Sequence, residues 1–286
     1  MHKAELHKAE LHKAELHKAE LPKAIGVFDS GVGGLTVLKA LRRAMPHRDF
    51  LYLGDTARVP YGRKPAAMVR EFAREITGFL EQRGAEAIVV ACNTATAVAL
   101  TDLQREFRLP IWGVIEPGVE AAVRATRSGR VGVIGTKGTI RSEAYQRRLQ
   151  ARGMTVWARE CPLFVHLVEE DLADSPEAEL LAHHYLDGHP EIDTLILGCT
   201  HYPVLAPVLA KVLGPEIQLV ESASVAAESV RDTLRDDPDV GAGGGRITHF
   251  VTGDPIAYRH TAAVIGGVDG EIIALPVSEL KNVVAA

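Results

Sequence analysis

The sequence is poor in cysteine: three in 286 residues, an odd count with no Cys-x2-Cys pair. That excludes the dense disulfide framework of small secreted domains and the usual closed zinc site built on closely spaced thiolates. Long apolar runs are missing as well. No stretch reaches the roughly 20 residues that would cross a bilayer, and no charged-then-apolar export signal stands at the start. Blocks of Lys and Arg are also absent, and 32 basic against 37 acidic residues leave a formal charge of −5. That balance argues against a nucleic-acid partner. The expectation is a cytoplasmic, soluble protein with neither membrane nor nucleic acid as partner.

Hydrophobic residues, at 47%, are ample for real cores. The first twenty-one residues stand apart. After Met1 the pentad His-Lys-Ala-Glu-Leu recurs four times, ending at Leu21. A five-residue step turns about 140° per leucine on a helix, so Leu6, Leu11, Leu16 and Leu21 build no single apolar stripe. The repeat reads as an extension outside the fold, although its histidines could hold a metal weakly. The remaining 265 residues suit two lobes of about 100 to 150 residues each.

From Ala24 onward, strand-like apolar runs alternate with helical stretches. Strands are expected at Ala24–Phe28, Phe50–Leu53, Ile88–Ala91 and Ile111–Ile115, with Glu116-Pro117-Gly118 as a turn. A second series opens at Arg130 and brings a helix near 140–151 and a strand at Leu195–Leu197. Gly26 and Gly132 lie 106 residues apart, and Cys92 and Cys199 lie 107 apart. Two landmarks repeating at nearly one spacing point to a duplicated unit. The expected fold class is therefore α/β: two similar three-layer lobes with parallel sheets, related by pseudo-twofold symmetry, with the active site in the cleft between them. The first lobe would comprise 22–118 plus 222–286, the second 119–221.

Two stretches end alike: Ala-Ile-Val-Val-Ala-Cys-Asn-Thr from Ala87 to Thr94, and Thr-Leu-Ile-Leu-Gly-Cys-Thr-His from Thr194 to His201. Each places a thiol at the carboxyl end of an expected parallel strand, where open α/β sheets hold their chemistry. A thiol beside a helix amino terminus has its pKa drawn toward neutrality. Three other readings stay open: buried cysteines acting as small hydrophobes, a metal held by Cys92, Cys199 and His201, and a cysteine hydrolase with His201 as base. Two matched thiols suit one task better. Inverting a carbon with one acidic hydrogen takes a base on one face and an acid on the other, and thiol and thiolate exchange those roles at each turnover.

Asp29 and Ser30 precede three glycines in four positions, which read as a helix cap and tight turn or as a grip on a carboxylate. The spacing is not Gly-x-Gly-x-x-Gly, so a dinucleotide site has little support. His201 could assist Cys199 or serve a structural role. Asn93, Thr94 and Thr200 could donate to a carboxylate or simply cap helices. Pro60-Tyr61-Gly62 is a turn that could close over the cleft. Cys161 lacks the strand-end context and reads as structural. Glu169 and Glu170 could be a wet helix face, or one of them could assist His201.

At these residues the sequence resembles the bacterial glutamate racemases, within the cofactor-independent amino-acid racemases. The matching motifs are Asp29-Ser30-Gly31-Val32-Gly33-Gly34, Gly54-Asp55-Thr56-Ala57-Arg58-Val59-Pro60-Tyr61-Gly62, Ala91-Cys92-Asn93-Thr94-Ala95, Gly132-Val133-Ile134-Gly135-Thr136 and Gly198-Cys199-Thr200-His201-Tyr202-Pro203. The resemblance implies interconversion of L- and D-glutamate without pyridoxal phosphate, metal or nucleotide, the D form feeding peptidoglycan synthesis, and a homodimer. It assigns Cys92 to the D-glutamate hydrogen and Cys199 to that of L-glutamate, assisted by Asp29 and His201 respectively. Around the substrate it implies Ser30, Asp55, Pro60, Tyr61, Gly62, Asn93, Thr94, Thr136, Thr200 and Glu169. His166 stands where the family has proline, which leaves the aim of Glu169 open. A related two-thiol enzyme acting on aspartate or another carboxylate is the nearest rival, and a non-enzymatic glutamate-binding module is the alternative of another class.

Overall fold

The computed structural model of the chain describes residues 23–234 and 244–282; the pentad repeat and most of the glycine-rich loop near 236–245 lie outside them. Ten strands are described: β1 (Ala24–Asp29), β2 (Asp49–Gly54), β3 (Ala85–Val90), β4 (Ile111–Gly113), β5 (Arg130–Gly135), β6 (Thr155–Glu160), β7 (Thr194–Gly198), β8 (Gln218–Val220), β9 (Ile247–Val251) and β10 (Glu271–Ala274). They form two sheets, in the order β10-β9-β2-β1-β3-β4 and β6-β5-β7-β8. Every pairing is parallel. A parallel sheet carries its crossover helices on its faces, and β1 and β7 are accordingly buried along their whole length.

The duplication is visible in the strand order, since β2-β1-β3-β4 and β6-β5-β7-β8 follow the same path. The paired glycines share an environment too. A Cβ on Gly26 would meet Ile88 Cδ1 of β3 at 2.5 Å, and one on Gly132 would meet Leu195 Cδ1 of β7 at 2.8 Å. Both central strands need glycine for the same reason, the close approach of an apolar side chain on the neighbouring strand. Strands β9 and β10 extend the first sheet through β2.

Three local expectations give way. The strand expected to reach Ile115 stops at Gly113, and Glu116-Pro117-Gly118 is the first turn of helix Ile115–Ala125. Proline is tolerated there because an N–H in the first helical turn has no partner within the helix. This helix packs on β7 and β8. The helix expected near 140–151 is two, Lys137–Arg141 and Ala144–Gln150, broken where Glu143 takes a φ of 57°.

Apolar packing is continuous between the lobes. One core joins Ile25, Val27 and Val89 of the first sheet with Leu195 and Leu197 of the second. Helix Ala223–Leu234 lies against both Leu35–Ala44 and Ile115–Ala125, bridging the lobes.

Candidate active site

Residues at the carboxyl ends of β1, β3, β5 and β7 meet between the sheets, where parallel topology leaves unpaired strand ends beside loop backbone. Hydrogen bonds cross from lobe to lobe at this point. The Thr200 hydroxyl donates to Asp29 Oδ1 at 3.4 Å, and Tyr145 donates to Asn93 Oδ1 at 2.7 Å. The Thr36 hydroxyl reaches the Thr200 carbonyl at 3.3 Å. Gly33 makes the closest approach: a Cβ there would lie 2.2 Å from Thr200 Oγ1 and 2.5 Å from His201 Nδ1.

Cys92 is the residue that opens helix Asn93–Glu106, and its sulfur accepts from the Ala95 N–H at 3.5 Å. Ser30 Oγ stands 4.0 Å away. The sequence suggests a thiol acidified by the helix terminus, but burial dominates and, with the nearby Asp29 charge, pushes the Cys92 pKa up to about 12. Asp29 is completely buried, and its Oδ2 accepts from the Gly31 N–H at 2.9 Å. Burial raises its pKa, against the opposing charge of His201 and the hydrogen bonds from Gly31 and Thr200.

Cys199 sits differently. No regular helix begins beside it; a short turn, Tyr202–Leu205, intervenes before helix Ala206–Leu213. Its partner is the imidazole, with Sγ 3.9 Å from His201 Nδ1, while Nε2 on the other ring edge lies 3.1 Å from Glu169 Oε1. Burial by itself would lower the His201 pKa, but the hydrogen bonds and charges of Cys199 and Glu169 outweigh it and raise it to about 10. His166 does not prevent the helix: Leu163–Glu169 forms and ends on Glu169.

Thr94 and Thr136 face each other across the lobes at 2.9 Å, and Thr139 is within 3.2 Å of both. Thr136 also caps the short helix after β5, with the Thr139 N–H 3.4 Å from its hydroxyl. Gly62 packs directly on Thr136, where a Cβ would lie 2.5 Å from its Cβ. The Tyr61 ring does not close the cleft; it is buried against Phe72, and its hydroxyl donates to Asp55 Oδ2. Asp55 also receives Arg58 Nε at 2.7 Å and the Thr252 hydroxyl at 2.8 Å, so both its oxygens serve the first lobe's own loops. Pro60 begins the turn Tyr61–Arg63 that sets Gly62 in place.

Gly33 of the glycine run meets the second lobe, and two residues outside the sequence candidates take part: Thr139 and Tyr52, whose hydroxyl donates to the Gly31 carbonyl at 2.7 Å. Sequence spacing carries no signal for them, because each acts through a contact between distant segments. All three cysteines are free and buried. Cys161 lies under Tyr202, which donates to its carbonyl at 2.7 Å. Among the described residues, no group of three or more His, Cys, Asp or Glu side chains is arranged to hold a metal ion.

This arrangement has clear relatives. The sequence profile of the "Asp/Glu/Hydantoin racemase" family matches residues 25–230. Glutamate racemase of Thermus thermophilus is 55% identical over 245 residues, covering 85% of this chain and 92% of the relative. The crystal structure of the Thermus thermophilus glutamate racemase in complex with beta-chloro-D-alanine superposes with a TM-score of 0.84 at 50% identity, covering 91% of this chain and 99% of that one. A glutamate racemase isoform from Bacillus anthracis gives a TM-score of 0.85 at 36% identity, over 89% of this chain and 98% of its own. With paired strand-end cysteines, matching topology and this degree of identity, the chain belongs to the Asp/Glu/Hydantoin racemase family and stands among its glutamate racemases.

Proposed function

We propose that the chain interconverts L- and D-glutamate by two-thiol proton transfer at the α carbon, supplying D-glutamate for peptidoglycan synthesis. The observation that carries this is the placement of two buried thiols, one at a strand end of each sheet, Cys92 beside the Ser30 hydroxyl and Cys199 beside the His201 imidazole. The two ends are electrostatically unlike. Cys92, with its pKa pushed up to about 12, holds a proton to give. Cys199 stands beside the His201 imidazole, whose pKa is raised to about 10 by its hydrogen bonds and charges with Cys199 and Glu169.

With L-glutamate bound, the Cys199 thiolate takes the α hydrogen, and the C–H pair remains on carbon as a carbanion-like centre. The Cys92 S–H then delivers its proton to the opposite face. The product is D-glutamate, with Cys199 as thiol and Cys92 as thiolate; the reverse turnover uses those states in reverse. Asp29, buried and raised in pKa, is suited to exchange the proton that resets Cys92. Substrate groups would be held by Ser30, Asn93, Thr94, Thr136 and Thr200, whose hydroxyls and amide line the junction, and by the Gly62 backbone. Water exclusion by the closed lobes strengthens each of these contacts.

The same reading places the protein in the cytoplasm as a homodimer, with lobes at 22–118 plus 222–286 and 119–221. No helix among the described residues is long and apolar enough to cross a membrane. The test is a panel of L- and D-amino acids incubated with purified protein and followed by circular dichroism. Loss of optical activity from both glutamate enantiomers, with solvent deuterium appearing at the α carbon, is expected. Turnover of aspartate or a hydantoin instead would redirect the assignment, and glutamate binding without exchange would reduce the protein to a binding module.

A further inference from the structure

A cavity of about 630 Å³ opens between the lobes on the outer side of the Thr94–Thr136 contact. Arg63 and Lys64 line it from the first lobe, Lys137 and Arg141 from the second, and no carboxylate lines it. Arg141 pairs with Glu160 at 2.7 Å, while Arg63, Lys64 and Lys137 make no ion pair among the described residues. In a chain of net charge −5, this is a marked local concentration of positive charge. Val69 and Val98 supply an apolar wall.

Gly62 and Thr94 also line the cavity, while neither thiol does. A Cβ on Gly138 would lie 3.3 Å from the Gly62 carbonyl oxygen and 2.8 Å from Thr94 Cγ2. We propose that this cavity is a second binding site, for a compact di- or polyphosphate group, whose occupant ties the two lobes together. Four cations divided between two bodies repel one another as the bodies close, and a multiply charged anion between them turns that repulsion into attraction. Glutamate, with one net negative charge, is too weakly charged to balance the cluster. A di- or triphosphate concentrates enough charge in one group, and its tetrahedral oxygens accept from arginine forks and lysine ammonium groups at once. The volume lies within the range of small-molecule sites. The site adjoins the substrate groups through Gly62 and Thr94, but no catalytic step uses its four cations, so its occupancy is tested separately from racemisation.

The experiment is calorimetric titration of the full chain with inorganic tripolyphosphate, on wild type, Arg63→Glu and Lys137→Glu, one substitution per lobe. Arg105→Glu is the control; it lies about three turns along helix Asn93–Glu106 from Thr94 and does not line the cavity. Circular dichroism confirms that each variant is folded. One saturable site per chain is expected, weakened at least tenfold by either cavity substitution and unchanged in the control. Its affinity should fall with added salt, and the ligand-induced rise in melting temperature should vanish in both cavity variants. Absence of saturable binding in the wild type overturns the proposal, as does equal weakening in Arg105→Glu. Both readouts are independent of turnover, so failure here and failure of the racemase reading are told apart.

Discussion

His201 Nε2 lies 3.1 Å from Glu169 Oε1, on the ring edge opposite the nitrogen that faces the Cys199 sulfur. The carboxylate therefore fixes the ring and stabilises the positive charge that the imidazole gains when it takes the thiol proton. Replacing Glu169 by Gln keeps the shape and removes the charge. The His201 pKa, about 10 in the intact site, should fall, moving the alkaline limb of the rate profile toward neutrality. A loss of roughly tenfold in kcat/KM is expected. It should be equal in both directions, because the enantiomers have equal free energy. A further check follows from linkage. The folded chain binds this proton more tightly than the unfolded one, so the contribution is whole below about pH 6.5 and is lost as pH rises to about 10. Denaturation of wild type and His201→Asn across that window should show the difference shrinking with pH.

Cys92→Ala and Cys199→Ala should each abolish racemisation in both directions, since each removes one face of the proton transfer. The residual chemistry should differ. In deuterated water, Cys92→Ala retains the thiol expected to act on L-glutamate and should exchange that enantiomer's α hydrogen slowly, whereas Cys199→Ala should exchange only D-glutamate. Nuclear magnetic resonance of the α proton distinguishes them. Serine at either position should also lose most activity, because a hydroxyl is a far weaker acid than a thiol near neutral pH.

Gly33→Ala tests the lobe junction. The added methyl would stand 2.2 Å from Thr200 Oγ1 and 2.5 Å from His201 Nδ1, so those groups must shift. A displacement of that size at a proton-transfer site costs about a hundredfold in rate. Helix Leu35–Ala44 should tolerate alanine just before it, so a normal far-ultraviolet spectrum with loss of kcat is the expected pair of results.

Tyr52→Phe tests support of Asp29 from behind. The Tyr52 hydroxyl holds the Gly31 carbonyl at 2.7 Å, and the Gly31 N–H holds Asp29 Oδ2 at 2.9 Å. Removing the hydroxyl leaves a buried carbonyl unpaired, a cost of about 1 to 3 kcal/mol. A lower melting temperature is expected together with a displaced pH profile for kcat. A stability loss with an unchanged profile would confine Tyr52 to a structural part.

Much of this molecule was legible along the chain. Apolar runs of strand length marked β1 to β4 of the first sheet and β7 of the second, and the spacing between like motifs pointed to the duplication. Local reading failed where long-range packing prevailed. Glu116-Pro117-Gly118 has turn chemistry, yet its segment folds as a helix on the second sheet. Tyr61 looked fit to cover the cleft, yet its ring is buried in the first lobe's core.

The sequence by itself determined which groups could do chemistry: two thiols at strand ends, a carboxylate after β1, a histidine beside the second thiol. Those follow from residue type and from a periodicity read over a few neighbours. Only the tertiary structure decided how each behaves. Burial beside Asp29 makes Cys92 a reluctant acid, and Cys199 together with Glu169, 32 residues from His201, raises the imidazole pKa. A pKa depends on every charge and every lost water within a few ångströms, and those neighbours come from parts of the chain that meet only on folding.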